Sequence, residues 1–263
     1  MRSGTFAVEP EPTGPPWRER SETGADEAAA RGVYAPVRSL SYSPPDAVAV
    51  APGDVRGTVL IPERCDGYCM GLDGRNGPNL ACAQCGQPVA TRVDDCGLWQ
   101  VTWLDSRSVR GVPDDEPEPR VIGWDELAAR DELTERDELA RTPPIEPPES
   151  WNPVWEAAAG AALPHLLVGA SGGPVAVPEG LLADAFRTAL DALLPSGPPP
   201  KSLALAGPGL PAADADIVLV PRHPQTGRVW AVPPGSAHPV PLAAEVWTWL
   251  ATDQNRTPAP PPR

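Results

Sequence analysis

Five cysteines are the residues in this chain best equipped for chemistry, and four of them fall within 21 positions. They are spaced Cys65-x3-Cys69-x12-Cys82-x2-Cys85, and Cys96 follows after ten more residues. Zinc takes four tetrahedral thiolate or imidazole ligands, and two cysteine pairs joined by a loop supply them. The spacing predicts a structural zinc site made by Cys65, Cys69, Cys82 and Cys85, with Cys96 as the alternative ligand. The pair Cys82-Ala-Gln-Cys85-Gly86 is the stronger half, because glycine after the second ligand lets the backbone turn tightly and aim amides at the sulfurs. Two other readings stay open. A redox dithiol at Cys82 and Cys85 would open a helix directly after a strand, whereas Pro88 and a β-prone run follow here. The cysteines could also be unligated core or surface thiols.

Other constellations are weaker. Gly169-Ala-Ser-Gly-Gly173 matches G-x-S-x-G, and Asp214 or Asp216 and then His223 or His238 come later in Ser–Asp–His order. A nucleophile elbow leads straight into a helix, but Pro174 and Pro178 follow, so a glycine-rich turn is expected. Neither this stretch nor Gly207-Pro-Gly209 carries the lysine or glycine spacing of a phosphate cradle. His165, His223 and His238 are isolated and read as turn and surface residues. The Trp151/Trp155 and Trp247/Trp249 pairs suit cores or domain interfaces. Asp73 and Asn76, in the loop between the cysteine pairs, suit turn hydrogen bonds.

The Cys82–Gly86 stretch resembles a zinc knuckle, and residues 65–104 resemble the zinc-ribbon type of module. The resemblance implies a metal held between two knuckles with a β-hairpin beside it, and Cys65, Cys69, Cys82 and Cys85 as ligands. The first pair departs from the usual two-residue spacing by one residue, with Gly67 and Gly71 to relieve it. A module this small needs its metal, since structural zinc contributes on the order of 10–16 kcal/mol of apparent binding energy.

The elements that would position these residues divide the chain into five parts. Residues 1–32 form a Pro- and Glu-rich arm expected to be disordered. Residues 33–112 form a β-rich zinc-binding domain with short strands at 37–42, 47–50, 58–61, 89–93 and 98–104. In the last run Trp99, Val101 and Trp103 share one face, and Gln100 and Thr102 the other. Residues 113–150 are an acidic, partly helical linker with a six-residue near-repeat starting at Asp125, Asp131 and Asp137. Leu127, Leu133 and Leu139 then point in three directions on a helix, so the repeat predicts a solvated face.

Residues 151–251 predict a small α/β or α+β domain with a mixed sheet, and residues 252–263 a proline-rich tail. In that domain Asn152 caps a helix opening at Pro153 and ending near Leu163, before Pro164. A strand at 165–169, a helix at 179–194 and a strand at 202–206 suggest a βαβ crossover. A hairpin links 217–221 to 228–232, and a helix at 242–251 closes the domain. The overall class expected is α+β.

Composition limits function. The chain carries 38 prolines and 24 glycines, and Lys201 is its only lysine, a bias of the kind a GC-rich bacterial genome produces. Residues 113–150 hold 13 acidic and 4 basic groups, −9 of the total −14, so no segment offers the basic surface that drives nucleic-acid binding. The amino-terminal residues lack a signal-peptide core. The longest apolar run, Ala157–Ala170, is broken by Pro164 and His165 and falls short of the roughly 20 residues of a membrane span. A cytoplasmic protein away from membranes is expected. The residues favour a non-enzymatic, zinc-dependent module that binds a protein partner. A hydrolase using Ser171 and a thiol redox protein using Cys82 and Cys85 are the alternatives.

Overall fold

The computed structural model describes residues 17–19, 24, 26, 39–41, 47–67, 72–95, 100–112, 120–128, 142–146, 150–197, 199–233, 235 and 237–255. The fold is α+β, with an antiparallel sheet in the first half and a parallel sheet in the second. Two short strands come first: β1 (Trp17–Glu19), inside the arm expected to lack structure, pairs antiparallel with β2 (Ser39–Ser41).

The antiparallel sheet contains β3 (Val48–Val50), β4 (Thr58–Leu60), β5 (Leu80–Cys82), β6 (Pro88–Val93) and β7 (Val101–Leu104), in the order β3-β7-β6-β5-β4. Side chains alternate between its faces. Ala49, Val93, Val101 and Trp103 form a small core with Ala47 on one face. The other face carries Leu60, Leu80, Ala90, Arg92, Thr102 and Val50, which the strand register places opposite one another. Thr102 is fully buried on that face, so both sides of the sheet are covered here. Strand β5 was not expected. It lies in a stretch of Gly, Asn and Asp that reads as loop, and its ladder with β6 shifts register between Leu80 and Ala81. Asn79 extends the pairing with its side chain, accepting from the Arg92 amide and donating to the Arg92 carbonyl, each at 2.7 Å.

Within the acidic stretch, residues 129–141 lie outside the described residues. Helix α1 (Trp124–Ala128) precedes them. The 120–128 segment is docked, not solvated throughout. Ile122 N–H donates to Gln225 Oε1, Gln225 Nε2 donates to the Arg120 carbonyl, and Trp124 packs edge-on against His223 and Trp230. Leu127 is buried. A two-stranded ribbon, β8 (Ile145–Glu146) with β9 (Ser150–Trp151), then leads into α2 (Pro153–Ala170).

Asn152 caps α2 as expected, its Oδ1 accepting the Val154 amide at 2.9 Å, and Pro153 takes the first helical position. The helix does not stop before Pro164. It runs to Ala170, and residues 165–169, expected as a strand, are its last turns. An internal proline costs about 3 kcal/mol. The stripe Trp155, Ala158, Ala162, Leu166 and Ala170 is buried at helical spacing, and one fully buried leucine alone is worth about 1.5–3 kcal/mol. Pro164 and Gly160 are exposed, so water reaches the carbonyl that loses its donor.

The remaining elements are β10 (Val175–Ala176), α3 (Leu181–Leu193), β11 (Lys201–Leu205), β12 (Ile217–Arg222), β13 (His238–Ala243) and α4 (Ala244–Asn255). The β-helix-β crossover therefore begins at Val175, not at 165. The sheet order is β10-β11-β12-β13, and all three pairings are parallel, so the mixed sheet expected from the sequence is not formed. The hairpin expected around residue 225 is reduced to an antiparallel bridge, Arg222 to Val229. Leu242, expected in the last helix, lies on β13, and α4 continues past residue 251. Strand β13 is an edge strand containing Pro239 and Pro241. His238 donates inward to the Asp216 carbonyl, which turns both proline nitrogens outward. The core between sheet and helices holds Trp155, Leu166, Phe186, Leu190, Ile217, Leu219, Leu242 and Trp247.

The two halves touch closely. A 3-10 turn, Pro52–Asp54, sits on the start of α2, and a β-carbon added at Gly53 would collide with the Ala157 methyl and stand 2.9 Å from the Pro153 carbonyl oxygen. Arg56 bridges the same boundary, its Nε donating to Glu245 at 2.9 Å and its Nη1 to the Gly53 carbonyl at 2.5 Å. Neither the Ala157 methyl nor the helix backbone can rotate aside. Gly53→Ala is accordingly expected to lower stability by about 1–3 kcal/mol in denaturant titrations, while Gly111→Ala, whose β-carbon would meet nothing and whose backbone is not in the left-handed region, serves as the steric control.

Candidate functional site

The cysteines of the first half are not all neighbours. Cys82 ends β5 and leads into the turn 83–85, closed by Gly86 N–H donating to the Cys82 carbonyl at 2.9 Å, with Gly86 at φ +73°. Backbone amides of Cys85 and Gln84 and the Cys85 thiol all donate toward the Cys82 sulfur, and together they pull its pKa below the ordinary thiol value. Cys82 and Cys85 are thus brought together with amides aimed at sulfur, which is the donor geometry a knuckle needs. Cys65 lies elsewhere. Its thiol donates to the Ile61 carbonyl at 3.2 Å, and burial pushes its pKa up, Arg92 only partly offsetting this. Cys82 pairs with Thr58 and Ile61 N–H bonds to Asn79, so about 10 Å of strand separates the two positions. Cys69 and Cys96 lie outside the described residues. Among the described residues, no three His, Cys, Asp or Glu side chains are grouped as a metal would require.

Two loop residues behave as turn formers. Asp73 accepts from the Arg75 amide at 3.0 Å, and the Asn76 side-chain amide donates to Asp66.

Ser171 caps the C-terminus of α2 in the left-handed region, at φ 52°, and its hydroxyl donates to the Val168 carbonyl at 3.3 Å. Lys201 Nζ donates to the Gly169 carbonyl at 2.7 Å and to Ser171 Oγ at 3.2 Å, placing the only lysine at the negative end of the helix dipole. Asp216 is engaged by Ser202, not Ser171: the Ser202 amide and hydroxyl donate to its carboxylate at 2.8 and 2.9 Å. These bonds hold the Asp216 carboxyl below its ordinary range, with Lys201 a smaller influence. His238 packs edge-on over Gly169, where a β-carbon would stand 2.6 Å from its ring. Among the described residues no hydrogen bond joins Ser171 to a histidine, and Asp214 lies exposed in the irregular stretch before β12. His223, expected at the surface, is buried at the far end of β12. Its Nδ1 faces the amides of Gln225 and Thr226, so Nε2 carries the proton and donates to the Ile122 carbonyl at 2.9 Å. The structure therefore does not assemble Ser171, an aspartate and a histidine into a triad.

What the sequence did not reveal is a cleft of about 450 Å³ between the antiparallel sheet and the start of α2. Val55, Val59, Leu60, Leu80, Pro143 and Val154 give it mainly apolar walls. At its base Arg92 and Thr102 sit directly opposite each other on β6 and β7. The Arg92 side chain is 5% exposed and forms an ion pair with Glu146, whose other oxygen accepts from Asn152 at 3.3 Å. Among the described residues, two atoms there are shut off from solvent and have no hydrogen-bond partner, Arg92 Nε and Thr102 Oγ1. A buried donor or acceptor left unmatched costs about 1–3 kcal/mol. The first amides of α2 are already taken, since Pro153 has none and Val154, Trp155 and Glu156 donate to Asn152. Glu156, at the same boundary, has its carboxyl pushed up by burial first and then by Asp94 and Glu146, Arg92 opposing them. The only sequence signal of this base was an arginine and a threonine inside otherwise apolar strands.

No protein-family model, curated protein or solved structure matches the chain. No helix among the described residues is long and apolar enough to cross a membrane.

Two outcomes follow from the ion pair and from Asp216. Arg92→Met should cost about 3–5 kcal/mol, because it leaves Glu146 buried alone, and Arg92→Met with Glu146→Leu should recover most of that loss in chemical denaturation. The depressed folded-state pKa of Asp216 gives stability that is present above the unfolded carboxylate pKa of about 3.9 and is lost as pH falls through the lower folded value. The stability difference between the native chain and Asp216→Asn should therefore stay flat from pH 7 down to about pH 5 and close in more acidic buffer.

Proposed function

We propose that the protein is a zinc-binding, non-enzymatic module that presents its two joined halves to a protein partner, with Cys82 and Cys85 as the primary ligands. The observation that carries this reading is the turn at 82–86, where two amides and a neighbouring thiol converge on the Cys82 sulfur. Such convergence favours thiolate and so supports metal ligation. The remaining two ligands come from Cys65, Cys69 and Cys96. For Cys65 to join, the segment after β4 must fold back along the strand, which ranks Cys69 and Cys96 as its rivals. The zinc would be structural, tying the loop ends of a five-stranded sheet whose own core is small. The acidic stretch at 113–150 supplies charge suited to a basic protein surface rather than to nucleic acid.

The redox alternative draws on the same lowered thiol, and metal content separates the two. Protein purified under reducing conditions should carry one zinc per chain by elemental analysis. Cys82→Ser and Cys85→Ser should each abolish that content and lower the melting temperature. Retention of zinc by both variants, or zinc-free native protein unchanged by chelator, would refute the assignment, and reversible Cys82–Cys85 disulfide formation in its place would favour the redox reading.

A further inference from the structure

The cleft between the halves runs along the outer edge of β4. Side chains of a strand alternate between its faces, so a cavity touching one face alone meets every second residue. This one is lined by Gly57, Thr58, Val59 and Leu60 in succession, and so it reaches the backbone rim of the strand as well. Strand β4 is the last of its sheet, and among the described residues no strand pairs with its outer side. The ladder with β5 fixes which groups point outward. The Ala83 amide donates to the Gly57 carbonyl at 2.9 Å, and the Ile61 amide donates to the Asn79 carbonyl at 2.8 Å. Gly57, Val59 and Ile61 therefore face β5, and the N–H and C=O of Thr58 and Leu60 face away from it. Neither residue is closed off from solvent: Thr58 and Leu60 are half-buried, and Val59 between them is 44% exposed.

We propose that this edge takes an extended segment of a partner protein as an added antiparallel strand, its alternate apolar side chains lying in the cleft and basic residues at its ends. This names the class of partner for the binding role proposed above and rests on that role, not on the zinc. Thr58 and Leu60 offer two donors and two acceptors, which is the main-chain pattern that strand addition uses. Directly opposite residues of an antiparallel pair share a face. The incoming residues that bond to Thr58 and Leu60 thus also turn their side chains toward Val55, Leu80 and Val154 in the cleft wall. The edge is short by construction. Gly57, at φ +67°, turns the chain before β4, and the 3-10 turn Pro62–Arg64 turns it afterwards. That suits a brief peptide and hinders open-ended stacking. Charge favours basic flanks. Glu63 and Asp66 follow the strand and act with Glu146 on Cys65 in the cleft wall, opposed there by Arg92 alone. The neighbouring cations are engaged, Arg56 by Glu245 and Arg64 by the Pro78 carbonyl.

The test uses the full chain and the peptide acetyl-RVTVTVR-amide, whose valines share one face when extended. Amide hydrogen exchange followed by NMR should find Thr58 and Leu60 exchanging fast in the free chain and Ile61 slowly. The peptide should bind saturably and protect Thr58 and Leu60. Methylating the valine nitrogens, which face β4 in this register, should weaken binding at least about tenfold. Methylating the threonine nitrogens, which face away, should leave it unchanged. Thr58→Pro removes an outward donor and no ladder bond, and should weaken the peptide about tenfold. Glutamate in place of both arginines should weaken it about fivefold at low salt. No saturable binding, equal effects of the two methylation patterns, or a preference for the glutamate peptide would each overturn the proposal. So would Thr58 and Leu60 amides already protected in the free chain: protection independent of concentration assigns the edge to the chain's own segments, and protection that grows with concentration assigns it to a second copy. Zinc content of the same samples is a separate readout. A zinc-loaded chain that ignores the peptide sinks the added strand alone, and a zinc-free chain that binds it sinks the metal reading alone.

Discussion

The guanidinium of Arg92 is the group on which the joining of the two halves rests. It is charged, it lies on a strand inside the antiparallel sheet, and its side chain is almost wholly removed from water. A charge in that position persists only if countered and hydrogen-bonded. Glu146 supplies the counter-charge from the ribbon that precedes α2, and the same carboxylate accepts from Asn152, the residue that caps α2. On the other side Asn79 locks the Arg92 backbone into the sheet. A single polar relay therefore runs from β5 through β6 to the first turn of the long helix. The apolar contacts around Gly53 and the Arg56–Glu245 bridge reinforce a geometry that this relay defines.

That arrangement also explains why the cleft exists. The Arg92 and Thr102 face of the sheet cannot pack flush against α2, because a guanidinium and its partners need room that a Leu–Leu contact does not. Space remains where polar groups prevent close packing, and apolar walls from both halves surround it. The other face, with Ala49, Val93, Val101 and Trp103, carries no such constraint and closes into an ordinary small core. The same β-strands thus perform two tasks, one per face.

Local signals were legible where a residue acts on its immediate neighbours. The Asn152–Pro153 cap, the strand pattern of 89–93 and the Cys82–Gly86 turn rest on a few adjacent residues, and each was read from type and spacing. What failed involves competition over distance. Pro164 reads as a helix end, but a buried stripe on both sides of it outweighs one lost hydrogen bond. Strand β5 hides among turn residues because its pairing is set by β4 and β6. The parallel order of the second sheet comes from crossovers, which periodicity does not encode. Of the candidate site, the Cys82–Cys85 pairing was visible and the cleft was not, since Arg92, Thr102 and Glu146 meet only after the two halves dock. His223 was misjudged for the same reason, as its cover comes from Ile122, a hundred and one residues earlier.

The edge of the parallel sheet carries a consequence for how copies of this chain behave together. An open strand is normally a template on which another chain can add, by matching alternate donors and acceptors. On β13 the outward donors at 239 and 241 are replaced by proline rings. An incoming strand would find carbonyls without amides between them, and ring atoms where its own backbone must approach. Among the described residues no further strand pairs with β13, and the sheet is terminated there by covalent chemistry. This permits four parallel strands to stop with one side open and yet remain poor seeds for fibres, even when the protein is concentrated.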